Sequence, residues 1–275
     1  MAKQKKKQED MSFLDHVEEL RWHLVRSSIA VLLLAIVAFL FKGIIFDKIL
    51  FAPKNADFAT YQFFCKVSKI FGAEGLCIED MPFTFQSLAM AEQFSLHIWT
   101  SITVGFIIAF TFIIWEFWKF ISPGLYEKER KGARSFIVIS SFLFFVGVLF
   151  GYYVVTPLSV NFLGNYSISD TVEINIQIGS YVSLVRSSVL ASGLIFELPI
   201  IMFFLTKMGL VTPEFLRKYR KHALVLVLVL AAIITPPDII SQVIVAIPIL
   251  ILYEVSIYIS KVVIKKELKR EQENG

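Results

Sequence analysis

From Ser135 to Ser169 the chain carries no charged side chain. A water-soluble fold cannot bury a run of that length and still present a wet surface, so this segment is expected to lie in lipid. The whole chain is biased the same way. Of its 275 residues, 56% are hydrophobic and 18% charged, against about 45–50% and about 25% in soluble domains. Disordered, collagenous and disulfide-scaffold classes are excluded by these values, and a net charge of +4 makes no case for a nucleic-acid partner.

A helix needs about 20 mostly apolar residues to cross a hydrocarbon core. Six stretches meet or approach that length: Ser27–Phe46, Leu96–Trp118, Ser135–Pro157, Tyr181–Met208, Ala223–Thr235 and Ile239–Ser260. Membrane strands would be shorter and would alternate apolar with polar residues, which these do not. The expected fold is therefore all-α and polytopic, with six transmembrane helices. The layout has a segment 1–26, a membrane domain 27–260 and a tail 261–275. The domain's longer connections are 47–94, 119–134 and 209–222.

Basic residues set the orientation. Six precede the first span; five lie in the second connection, five in the fourth and five in the tail. The much longer first connection has four, and the third and fifth have none. Both termini are expected in the cytoplasm, and the chain in the inner membrane. Trp22, Trp99, Trp115 and Trp118 fall at expected span ends, where amphipathic rings prefer the interface. The first apolar stretch has no small-x-small cleavage pattern after it and reads as retained.

The last two spans are expected to be short. Ala223–Thr235, and Ile239–Tyr253 before Glu254 interrupts it, each reach only about 20 Å at 1.5 Å per residue. Either the bilayer thins beside them, or the boundaries differ and Glu254 reaches the interface. Cys65 and Cys77, the only cysteines, share the first extracytoplasmic connection, where a disulfide is permitted and two free thiols are the alternative. Two thiols without a nearby histidine are half a metal set, so no metal site is expected. No cofactor or catalytic residue is expected either: the histidines (His16, His23, His97 and His222) sit near span ends, without H-E-x-x-H or G-x-S-x-G.

Ionisable groups inside spans need a reason. Glu197, in Phe196-Glu197-Leu198-Pro199, is surrounded by apolar residues. Arg186, eleven positions earlier, shares its helix face. Pro199 removes a backbone donor and should bend the helix there. A purely structural carboxylate, protonated or bonded to a neighbouring helix, is the plain alternative. In Thr235-Pro236-Pro237-Asp238, the prolines force a turn and Asp238 can cap the next helix, with Gln242 on the same face. At the cytoplasmic surface, Glu18, Glu19 and Arg21 precede the first span, while Glu127, Glu129 and Arg130 lie between the second and third. Such mixed charges are usually solvated pairs of little consequence.

Taken in order, these motifs resemble the TatC family, the multi-spanning subunit of the twin-arginine protein translocase. His16-Val17-Glu18-Glu19-Leu20-Arg21 resembles its amino-terminal H-L-x-E-L-R. Phe120-Ile121-Ser122-Pro123-Gly124-Leu125 with Glu129-Arg130 resembles its first cytoplasmic loop. Phe196–Pro199 resembles its fourth-span signature, and Thr235–Glu254 is the most specific match. The resemblance implies a Sec-independent translocase core that receives folded substrates bearing twin-arginine signal peptides and uses the proton-motive force. It implies single-span TatA- or TatB-type partners, contact with membrane lipids and a homo-oligomer in the receptor complex.

By the same resemblance, Glu19 and Glu129 would recognise the arginine pair, with Phe120, Arg21 and Arg130 beside them. Glu18 could share the role of Glu19. Glu197 and Pro199 would serve partner-helix contact, and Asp238 and Gln242 later extracytoplasmic steps. Carboxylates suit this task because a guanidinium presents paired N–H donors that they accept in bidentate fashion. The alternative is an ion-coupled small-molecule transporter with Glu197 as coupling site, although no internal repeat supports it.

Overall fold

The computed structural model describes residues 13–71, 81, 83–122, 133–169, 174–235 and 238–274. Helix α1 (Phe13–Leu40) runs into a π-helical turn at Ile44–Leu50, then reaches α2 (Ala59–Phe71) and a short strand β1 (Thr84–Gln86). Helix α3 (Glu92–Ile121) follows. Helix α4 (Ala133–Phe150) continues through a second π turn, Gly151–Val155, into α5 (Thr156–Asn165). Strand β2 (Asn175–Gln177) leads into α6 (Ile178–Ile195) and α7 (Leu198–Lys207). Helices α8 (Pro213–Lys218), α9 (Arg220–Ile234) and α10 (Ile239–Asn274) complete the described chain.

Among the described residues, five helical stretches are long and apolar enough to cross a membrane: Val17–Leu40, Glu92–Ile121, Ser135–Asn165, Ile178–Lys207 and Ser241–Lys266. The expected fifth span is α9, at 15 residues only about 22 Å long. The expected short sixth span differs. Helix α10 does not stop at Glu254; it runs for 36 residues through both Glu254 and Pro248. Glu254 leaves the helix intact because it lies half-exposed, 2.6 Å from the guanidinium of Arg220 on α9. The first helix likewise begins earlier than expected, so Glu18 and Glu19 lie within it.

Successive long helices pack antiparallel. Along the α1–α3 seam, His23 meets Glu116 and Phe39 stacks on His97. Gly105 sits at the crossing between them. A Cβ there would come within 2.6 Å of the Ala35 nitrogen and 2.7 Å of the Val31 carbonyl, so only glycine allows the two backbones to approach this closely. Gly147 permits the same approach of α4 to α6, where a Cβ would lie 2.7 Å from the Ser192 carbonyl.

One end of the bundle is closed by a cap built from α2, the π turns and the strands. Strands β1 and β2 pair in parallel with Phe85 opposite Ile176, a small addition to the all-helical expectation. Phe58, Tyr61, Phe83 and Tyr181 form the buried core of this cap. Glu92 gathers four donors: Ser87 Oγ and the Leu88 amide at 3.0 Å, Gln177 Nε2 at 2.7 Å and the Gly179 amide at 3.2 Å. The Tyr61 hydroxyl lies 2.9 Å from the Pro53 carbonyl and 3.1 Å from that of Pro157, and burial pushes its phenol up. Cys65, on α2, is disulfide-bonded, while Cys77 lies outside the described residues.

Candidate functional site

The opposite end, where α1 begins and α3 ends, holds a chain of polar contacts. Helical spacing places Glu19, His23 and Arg26 on one face of α1, and Glu116, Lys119 and Phe120 on one face of α3. Glu116 is 2% exposed, and three cationic or ionisable groups converge on it. His23 Nδ1 lies 2.7 Å from its Oε2, Lys119 Nζ 2.9 Å from its Oε1, and Arg26 Nη1 3.8 Å away. Lys119 also sits 3.3 Å over the Trp115 ring. These contacts allow a carboxylate to remain buried, because burying one without partners would cost several kcal/mol, order of magnitude.

Glu19 is held far more loosely. Its Oε1 is 4.0 Å from His23 Nε2, beyond hydrogen-bond length. Its Oε2 is enclosed and has no partner among the described residues. Phe120 closes one side, its ring 6.1 Å from that of His23 in edge-on contact. The structure therefore joins Glu19 and Phe120 through His23. Arg21 is not part of this group. Two residues after Glu19, it points about 200° away around the helix, into a shallow outward groove with Leu20, Leu24 and Ser28. Its expected place beside Glu19 is corrected accordingly. Glu18 is exposed; Glu129 and Arg130 lie outside the described residues.

Sequence reasoning passed over His23 and Glu116. A signal for Glu116 existed, since it is the only carboxylate between Glu92 and Glu127 and lies inside an apolar span. The rule that singled out Glu197 applies to it equally.

Glu197 itself stands at a break. Helix α6 ends at Ile195 and α7 starts at Leu198, and the Glu197 carbonyl accepts from the Ile200 and Ile201 amides at 2.9 and 3.0 Å. Pro199 opens α7, where its missing N–H costs nothing. The carboxylate is 7% exposed. Ser140 Oγ, from α4, donates to Oε2 at 2.7 Å, while Oε1 is buried without a partner among the described residues. The break falls after Ile195, so the stretch from Arg186 up to it is regular helix. Arg186 also keeps a buried, unpartnered Nη1.

At the start of α10, Asp238 Oδ2 accepts from the Ser241 amide at 2.8 Å and from Ser241 Oγ at 2.7 Å. This is the helix cap expected from sequence. Gln242 Nε2 donates to the Leu228 carbonyl at 3.0 Å and so ties α10 to α9. Pro236 and Pro237 lie outside the described residues.

With this geometry established, the chain was compared with known proteins. The model of the family described as Sec-independent protein translocase protein (TatC) matches residues 15–248, the whole stretch that holds these sites. The chain belongs to the TatC family. The TatC protein of Blattabacterium sp. subsp. Periplaneta americana is 42% identical, over 96% of this chain and 100% of its own length. TatCy of Bacillus subtilis is 35% identical, over 94% and 92%. A crystal structure of a twin-arginine translocase receptor, TatC, superimposes with a TM-score of 0.68 at 34% identity, covering 90% of this chain and 99% of that one. This TatC-family protein is a multi-pass inner-membrane component of a protein translocase. The family assignment favours protein translocation over the ion-coupled small-molecule alternative.

Proposed function

We propose that this chain is the receptor for twin-arginine signal peptides in its translocase, with the α1–α3 end facing the cytoplasm. The observation that carries the reading is Glu19: a carboxylate linked through His23 to Phe120, with one enclosed oxygen that nothing among the described residues satisfies. A guanidinium can fill that vacancy with paired N–H donors, the kind of charge-assisted contact worth about 1.5–3 kcal/mol. Glu129, which follows the end of α3 in sequence, supplies the second carboxylate for the adjacent arginine. The basic residues of the cytoplasmic connections and tail meet acidic headgroups, as does Arg21 on the outer face of α1.

Glu197 serves the later step. Its unpartnered Oε1 accepts from a polar group on an inserted signal or a single-span TatA- or TatB-type helix, and the short α9 thins the bilayer where that helix docks. Asp238 and Gln242 act on the extracytoplasmic side by fixing the α9–α10 turn. In the receptor complex several copies assemble, and transport draws on the proton-motive force.

The test is site-specific crosslinking of a labelled twin-arginine peptide to the full chain in membranes. Glu19→Ala and Glu129→Ala should each reduce crosslinking, and a Lys-Lys peptide should crosslink more weakly than Arg-Arg. Unchanged crosslinking in both variants removes the receptor assignment. Glu197→Ala should leave peptide binding in place and reduce contact with single-span subunits.

A further inference from the structure

His23 lies between two carboxylates that differ in almost every respect. On one side is Glu116, buried and 2.7 Å away; on the other is Glu19, partly exposed and 4.0 Å away. The geometry points to His23 and Glu116 as positioning residues of the arginine-docking site, with the imidazole holding or releasing Glu19 according to its proton. This inference rests on the receptor reading above.

The argument follows from donors and acceptors. Glu116 Oε2 is a carboxylate acceptor, so Nδ1 must carry a proton to bond it. In the neutral ring Nε2 is then a lone pair facing Glu19 Oε1. Two acceptors cannot bond, which accounts for the 4.0 Å separation and leaves Glu19 available. When the ring gains a second proton, Nε2–H becomes a cationic donor aimed at Glu19. The imidazolium then occupies Oε1, one of the two oxygens that a guanidinium binding in bidentate fashion needs.

Among the described residues, the other charged groups that meet this pair are Arg26 from the same helix as His23 and Lys119 from α3, and both converge on Glu116 rather than on Glu19. The Phe120 ring covers the imidazole edge-on. No other proton-responsive group among the described residues stands between Glu19 and Glu116. The comparison of pH 8 with pH 6 is assigned to this ring by substituting it. When peptide docks on the protonated form, the guanidinium displaces Nε2–H from Glu19 and the ring can release that proton to solvent.

The experiment measures binding of a fluorescent peptide bearing two adjacent arginines to the full chain in lipid nanodiscs at pH 8 and pH 6. Wild type should bind about fivefold more weakly at pH 6, the scale of one partly exposed ion pair. His23→Gln, whose amide still donates to Glu116 but cannot charge, should bind equally at both. His16→Gln and His222→Gln should keep the wild-type response. Glu116→Gln should weaken the response, since it exchanges the charged acceptor that orients the ring for a neutral amide.

A pH response that persists unchanged in His23→Gln overturns this inference and leaves the receptor standing, provided Glu19→Gln binds weakly at both pH values. Glu19→Gln binding as well as wild type overturns both. Nitrogen chemical shifts of labelled histidine in the unmutated chain give an independent reading. At pH 6.5, added peptide should shift His23 toward the neutral Nδ1–H tautomer, and an imidazole state indifferent to peptide contradicts the assignment.

Discussion

Glu92 and Glu19 sit at opposite ends of the bundle and are treated in opposite ways. At the capped end, Glu92 accepts four hydrogen bonds from two segments of chain. Nearby, the hydroxyls of Tyr61, Tyr152 and Tyr181 each reach a backbone carbonyl, and the Thr60 hydroxyl bonds that of Tyr153. At the α1–α3 end, Glu19 has, among the described residues, one 4.0 Å contact and one enclosed oxygen without a partner. A carboxylate saturated by its own fold has nothing left to offer a ligand. The unsaturated one does.

Substitutions should separate the two ends. The largest effect is expected for Glu19→Ala, which should weaken binding of a paired-arginine peptide by about 10- to 100-fold, the loss of a charge-assisted contact. Its thermal unfolding midpoint in detergent should stay near wild type. Tyr61→Phe should do the reverse. Removing a buried hydroxyl that serves two carbonyls should cost about 1–2 kcal/mol of stability, read as a lower unfolding midpoint, with peptide binding unchanged. Ser140→Ala should have a smaller effect on stability and none on initial peptide binding. It strips Glu197 of the donor to Oε2, so its signature should be altered crosslinking to single-span subunits. The smallest effect is expected for Arg220→Ala. Its pair with Glu254 is half-exposed on both sides, so its loss should cost under about 1 kcal/mol and leave binding intact, measured by the same two assays.

The same contrast shows what could be read from sequence. The spans were legible because charge-free runs have few physical alternatives. The Asp238 cap and the break at Glu197-Leu198-Pro199 were legible because capping and proline geometry act locally. The cap was not: β1 and β2 are three residues each, separated by most of two long helices, and no local pattern announces their pairing. Glu254 was misleading because a carboxylate in an apolar run looks like a helix end until its partner, Arg220 on another helix, is known.

The polar cluster between α1 and α3 was only partly legible. Motif resemblance brought Glu19 and Phe120 forward but carried Arg21 with them, although the 100° step per residue places Arg21 on the far face. His23 and Glu116 are 93 positions apart, and only the antiparallel packing of α1 on α3 brings them together. The close approach at Gly105 makes that packing tight, so a glycine with no polar atom in its side chain helps set the geometry of the carboxylates.

The central claim is that Glu19 offers an unsatisfied carboxylate to a guanidinium. Its most direct test is the preference for paired arginine over paired lysine, measured as the ratio of peptide dissociation constants for wild type and Glu19→Gln in nanodiscs at pH 8. The account predicts a clear arginine preference in wild type that largely disappears in Glu19→Gln. A variant that still discriminates between the two peptides as wild type does would contradict it.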